Sequence, residues 1–312
     1  MIDGEIVAPT RIWSVSVLGV GQRDRSEMLW LGVSTRVERW QSYRVTTLEF
    51  DRVVVDLPAD RAGKLRRLNV AAGLLHLVTA IVMVAVGDRS FSLPVSGFNI
   101  SGPPGTELSE GVLTELFSVP LAWAVASFSL LSALFHFLIA GPAYGKYCGE
   151  LERGRNRFRW VEYALSSTLM MVLIALTTGI TDLAALIAIG FANAAMILFG
   201  WIMEMVNDPD GDTWWSPFWF GCVAGIGPWA AIVGALIFNL SQEGAQGPPG
   251  FVYGIIVTIF LFFNCFAINQ WLQYRRVGKW TDYLHGERTY IVLSFVAKSV
   301  LAWQIFGNTL IE

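Results

Sequence analysis

The sequence predicts an all-α membrane protein, a bundle of seven transmembrane helices with a short β-hairpin in the first outer loop. Three observations predict it. Only 15% of the 312 residues are charged and 54% are hydrophobic, where a soluble protein carries about a quarter charged. The charges are also uneven, 20 of 47 falling in residues 1–67, so the rest cannot build a normal solvated surface. Finally, seven apolar windows are long enough to cross a bilayer, which takes about 20 residues of helix.

Residues 1–60 form a polar amino-terminal extension, and 61–312 hold the helical domain. The extension has β-branched, alternating patches at Arg11 to Val20 and Tyr43 to Asp56, too short to make a domain alone. A small cytoplasmic cap and a misassigned translation start both fit it. Met1 leads into Asp3 and Glu5 without an apolar core, which is no secretory signal. The spans run over about 68–86, 116–140, 160–179, 183–203, 216–238, 251–274 and 289–311. They are too uniformly apolar for barrel strands. Helix breakers punctuate the connections, as at Gly102-Pro-Pro-Gly105, Asp208 to Asp212 and Gly247 to Gly250. In the first loop, Phe91-Ser-Leu-Pro and Val95-Ser-Gly-Phe suit a short hairpin.

Lys and Arg near the span ends set the orientation. With the amino terminus cytoplasmic, 13 lie on inner loops, among them Arg61, Lys64, Arg153, Arg159 and Arg288, against Arg89 alone outside. The carboxyl terminus is then extracellular. Cys148, Cys222 and Cys265 are too scattered for a bridge or metal framework. The net charge of −3 offers no reason to expect nucleic acid, and no nucleophile elbow, phosphate loop or metal spacing suggests an enzyme.

Two charged residues lie inside the spans, and such groups mark functional sites by default because lipid makes them costly. Lys298 is ten residues past Arg288, Glu162 is in the third span, and His76 and His136 fall at the lysine's depth. A plain structural salt bridge would explain the first two; two converging histidines look more like a proton network. Ser294 precedes Lys298 by four residues and Ser166 follows Glu162 by four, which puts each serine on its partner's helix face. Met196, Gly200, Trp229 and Phe263 complete the expected surroundings, with Gly200 leaving a flat slot for a conjugated ligand. Trp219, Pro228 and Phe260 belong to the same aromatic-rich region. A lysine deep in the last of seven helices, opposite one carboxylate, suits a retinal Schiff base and its counterion, since a desolvated amine can condense with an aldehyde.

The residues carry a resemblance as well. Ser294-Phe-Val-Ala-Lys298-Ser-Val-Leu-Ala-Trp, Phe158-Arg-Trp-Val-Glu162-Tyr-Ala-Leu-Ser-Ser167, Leu131-Ser-Ala-Leu-Phe-His136-Phe and Met196-Ile-Leu-Phe-Gly-Trp201 resemble the heliorhodopsins, in order, from about Lys64 onward. The resemblance implies a rhodopsin-like fold and an inverted orientation. It also implies all-trans retinal bound at Lys298, Glu162 as sole counterion, Ser294 bonding near the imine, Ser166 and Ser167 beside the chromophore, and His76 with His136 as the proton-accepting network. Such proteins are homodimeric photoreceptors in the lipid bilayer, with an unidentified signalling partner. A light-driven ion pump is the alternative. Pumps of the ordinary microbial type carry a carboxylate, or a pump-specific substitute, four and eleven residues after the counterion and a second acid one turn before the lysine, where Ser166, Leu173 and Ser294 stand here.

Overall fold

The structure, a computed structural model, describes residues 54–87, 90–106, 111–242, 244 and 247–309. Within them, α1 (Ala59–Val86) leads into a hairpin of β1 (Ser92–Ile100) and β2 (Gly111–Pro120). Then come α2 (Leu121–Ala140), a short α3 (Tyr144–Glu152), α4 (Arg157–Thr177), α5 (Leu183–Val206), α6 (Ser216–Ser241), α7 (Gly250–Arg275) and α8 (Tyr283–Thr309). Seven of these helices are long and apolar enough to span a membrane; α3 is the exception.

Local chemistry sets the helix ends. The Asn156 side chain accepts from the Arg159 backbone N–H at 3.1 Å and so caps α4. Gly179, at φ 91°, closes the same helix in the left-handed conformation: its own N–H bonds Leu176 and that of Ile180 bonds Ala175, which satisfies two terminal carbonyls. Asp182 then caps α5 through the Ala185 N–H at 2.9 Å. Pro228 sits inside α6 and removes one bond from its ladder.

α4 is the most enclosed span, with 56% of its apolar window buried, whereas α7 has 17% and turns most of its surface outward. Its outward residues, such as Val257, Leu261 and Ile268, are large and apolar, as contact with lipid requires. Toward the hairpin the core is apolar, built from Met83, Phe128, Leu173, Ile174, Ile232, Ile255, Leu301 and Ile305 among others. Toward the opposite face, where α1, α4, α6 and α8 begin, buried polar side chains accumulate.

Several boundaries differ from the expectation. The second span starts at Leu121, because residues 116–120 belong to β2. The apolar run cannot distinguish an exposed strand from the helix that follows it. Phe91 to Pro94 and Val95 to Phe98 do not face each other as two strands: residues 92–98 all lie in β1, which pairs antiparallel with β2 from Ser92↔Pro120 to Ile100↔Gly111. The hairpin leans on the α4–α5 turn, where Ser96 N–H bonds Thr181 at 2.8 Å. α8 begins at Tyr283, six residues before the expected start. Upstream of residue 61, Val54 and Val55 pack with Leu65, Leu151 and Tyr283. The patch at Arg11 to Val20, Arg89 and residues 310–312 lie outside the described residues, as does Tyr43 to Asp56 up to residue 53.

Candidate functional site

α8 carries Lys298 to mid-bundle, where it is 3% exposed. Its Nζ donates to Glu162 Oε1 of α4 at 2.5 Å and to Ser294 Oγ, one turn back, at 2.8 Å. Ser132 of α2 donates to the same Glu162 oxygen at 2.6 Å. The ammonium also lies 5.2 Å from the centre of the Tyr163 ring, a cation–π distance. One cation, one anion and two hydroxyls thus form a buried, mutually satisfied set.

Beside it, His76 and His136 stack with ring centroids 5.7 Å apart and planes within 12°. His136 Nδ1 is 2.8 Å from Asn69 Oδ1, so this nitrogen carries the proton if the ring is neutral. Among the described residues, neither nitrogen of His76 nor His136 Nε2 has a protein partner.

On the other side Lys298 opens into a cavity with about 110 Å³ of space for the centre of a water-sized sphere. Ser166, Ser167, Met196, Gly200, Phe263 and Ser294 line it, together with Trp160, Tyr163, Phe218, Phe266 and Tyr290. Gly200 makes the slot flat: a Cβ built there would lie 2.5 Å from the Trp160 ring. Ser166 is buried with its Oγ unpartnered among the described residues. Ser167 donates to the Tyr163 carbonyl at 2.7 Å and accepts from Asn193 at 2.9 Å.

Trp229 is a correction, for it does not line the cavity. Met196 Sδ fills the space against Gly225, and Trp229, one turn further along α6, packs edge-on against Phe260 and Phe263 at 5.1 and 5.9 Å. Trp219 and Phe260 are largely exposed.

The count of two charges within the helices is a second correction, because Arg159, Glu204 and Glu287 are buried too, at 6%, 2% and 1% exposure. Arg159 bridges Glu204 at 2.6 Å and Glu287 more closely still. Its guanidinium stacks 4.0 Å above Tyr290 and 4.8 Å from Trp160, and Trp160 Nε1 donates to Glu204 at 2.5 Å. The ion cluster is thereby anchored to two walls of the cavity. Spacing could have located these groups. Arg159 is three residues before Glu162, Glu204 four after Gly200, and Glu287 seven before Ser294, which puts each on a face already singled out.

Compared with protein families, residues 65–310 match heliorhodopsin. The chain belongs to the heliorhodopsin family. Among solved structures it is similar to LR (Mac), a light-driven proton pump from Leptosphaeria maculans. The TM-score is 0.51 and the identity 14%, over 80% of this chain and 96% of that one, a likeness that establishes the fold. No curated protein sequence matches it. Heliorhodopsin membership makes this a multi-pass membrane protein of the retinal photoreceptor class and implies a retinal chromophore. The residues suit such a group, since an amine ends an apolar, aromatic, glycine-flattened cavity.

Proposed function

We propose that this protein is a light sensor that takes up all-trans retinal at Lys298 and answers light with a change of shape instead of moving ions. The observation that carries the reading is the buried contact of Lys298 with Glu162 at 2.5 Å, at the end of the aromatic cavity. Retinal joined to Lys298 as an imine would supply light absorption and isomerisation. Glu162 supplies the negative charge that keeps the linked nitrogen cationic, and Ser132 and Ser294 hold the two partners in place. His76 and His136 sit where a proton leaving this pair is received. Ser166, Ser167, Met196, Gly200 and Phe263 shape the slot.

The asymmetry of the core favours sensing over transport. Beyond Lys298 toward the hairpin, α8 contributes Leu301, Ala302, Ile305 and Phe306 to an apolar core, and none of these four side chains can carry a proton. By the Lys and Arg distribution, the polar face is cytoplasmic and the hairpin face extracellular. We further propose that residues 61–312 are the retinal-binding domain and 1–60 an extension. The protein would act as a homodimer toward a signalling partner.

Adding all-trans retinal to the expressed protein should produce a visible band, and colour that survives Lys298→Ala would overturn the reading. For transport, intact cells are illuminated while external pH is followed. A sustained change abolished by a protonophore would replace the sensor with a pump.

A further inference from the structure

The cluster of Arg159, Glu204 and Glu287 has no part in the reading above. Two carboxylates share one guanidinium, so with both acids ionised the cluster carries an excess negative charge where water is scarce, which is costly. One added proton cancels it. The two acids are unequal. Glu204 accepts from Arg159, Trp160 Nε1, the Asn156 backbone N–H and the Tyr283 hydroxyl. Glu287 accepts from Arg159, Asn156 Nδ2 and the Tyr147 hydroxyl of α3. Glu204 thus has four hydrogen-bond donors and Glu287 three. Burial and the charge of Glu287 push the Tyr147 phenol well above its usual range, so it remains a donor.

Glu287 is also the acid reached from the lysine site. A cavity of about 30 Å³ is lined by His136 and Glu162, and by Asn156, Arg159 and Glu287. A water needs roughly 10–15 Å³ of such space, so about two fit. His136 Nε2 and Arg159 Nε, both without a protein partner among the described residues, are donors or acceptors for them.

We propose that Glu287 is the terminal proton acceptor of this path: a proton at the Glu162 and His136 end crosses the water-sized cavity and comes to rest on the Glu287 carboxylate. An O–H bond at Glu162, or the N–H bond at His136 Nε2, breaks; an O–H bond on Glu287 forms; the waters pass the proton and are restored. The ion cluster becomes neutral, and no other reactant is consumed. The light-driven transfer rests on the sensor reading, whereas the acid–base character of Glu287 does not.

The test loads the full-length protein in liposomes with all-trans retinal and records light-minus-dark infrared spectra in H2O and D2O. The expected result is a protonated-carboxyl C=O band that appears on illumination and moves in D2O. It is lost in Glu287→Gln and displaced in Tyr147→Phe, which removes one donor from Glu287 and leaves the ion cluster whole. A band that survives Glu287→Gln, or no exchangeable carboxyl band in a coloured, light-responsive protein, overturns the proposal. Should Glu287→Gln fail to fold, Tyr147→Phe decides, and an undisplaced band counts against it. If no colour forms, the sensor reading fails separately. A dark pH titration of the same infrared region on the retinal-free protein then decides: a titrating carboxyl lost in Glu287→Gln supports the proposal, and its absence overturns it.

Discussion

Removing Glu162 while keeping Lys298 strands an ammonium in the bundle. At 2.5 Å, an effective dielectric of about 20 gives an attraction of about 7 kcal/mol, much of which repays the cost of taking both groups out of water. Breaking one side of such a pair costs about 3–5 kcal/mol net. Glu162→Gln should therefore lower the stability of the retinal-free protein by about that amount, or roughly 10 °C in the unfolding midpoint at the scaling of a domain this large. Lys298→Met leaves the carboxylate stranded and should cost a similar amount. The double variant removes both charges and should be at least as stable as either single variant, so that the two single effects fail to add by about 3 kcal/mol or more. Thermal unfolding of the four proteins in detergent, without retinal, measures this directly. Additive losses would refute the claim that the two groups are coupled, and a neutral Glu162→Gln would refute the claim that the lysine depends on this carboxylate.

With retinal added, Glu162→Gln should still bind but with a visible band displaced from that of the wild type; an unmoved band would remove its counterion role. Gly200→Leu should drive the Trp160 ring, already within 2.5 Å of a built Cβ, into the cavity, costing about 1–3 kcal/mol by overpacking and weakening retinal uptake in a titration. Asn156→Ala removes the α4 cap and the side-chain donor to Glu287. Because the backbone N–H bond to Glu204 survives, a loss of about 1–3 kcal/mol is expected by thermal unfolding.

The seven spans were legible because each is an uninterrupted apolar run, and lipid permits little else to build one. The strand at Gly111–Pro120 was not: it runs into α2 without a charged residue from Leu116 onward, and composition alone cannot place the turn between them. Lys298 and both histidines could be matched in depth by counting from loop charges, Glu162 only loosely and Ser294 by its four-residue spacing from the lysine, and the structure brings them together. Arg159 and Glu287 escaped for the opposite reason. A charge within a few residues of a helix end reads as an interface anchor, and only the neighbouring helices reveal that these side chains turn inward. Trp229 was misplaced because helical spacing gives the face but not the level at which Met196 closes the slot.

The contrast between a polar half and an apolar half bears on how this protein would behave under voltage. A mobile charge confined between Glu162 and Glu287 crosses only part of the bilayer's electric field, so a membrane potential biases its position by less than the roughly 2.3 kcal/mol per 100 mV that a full crossing would bring. Flash illumination under voltage clamp should accordingly record a brief displacement current that reverses in the dark, with no steady current at any holding potential.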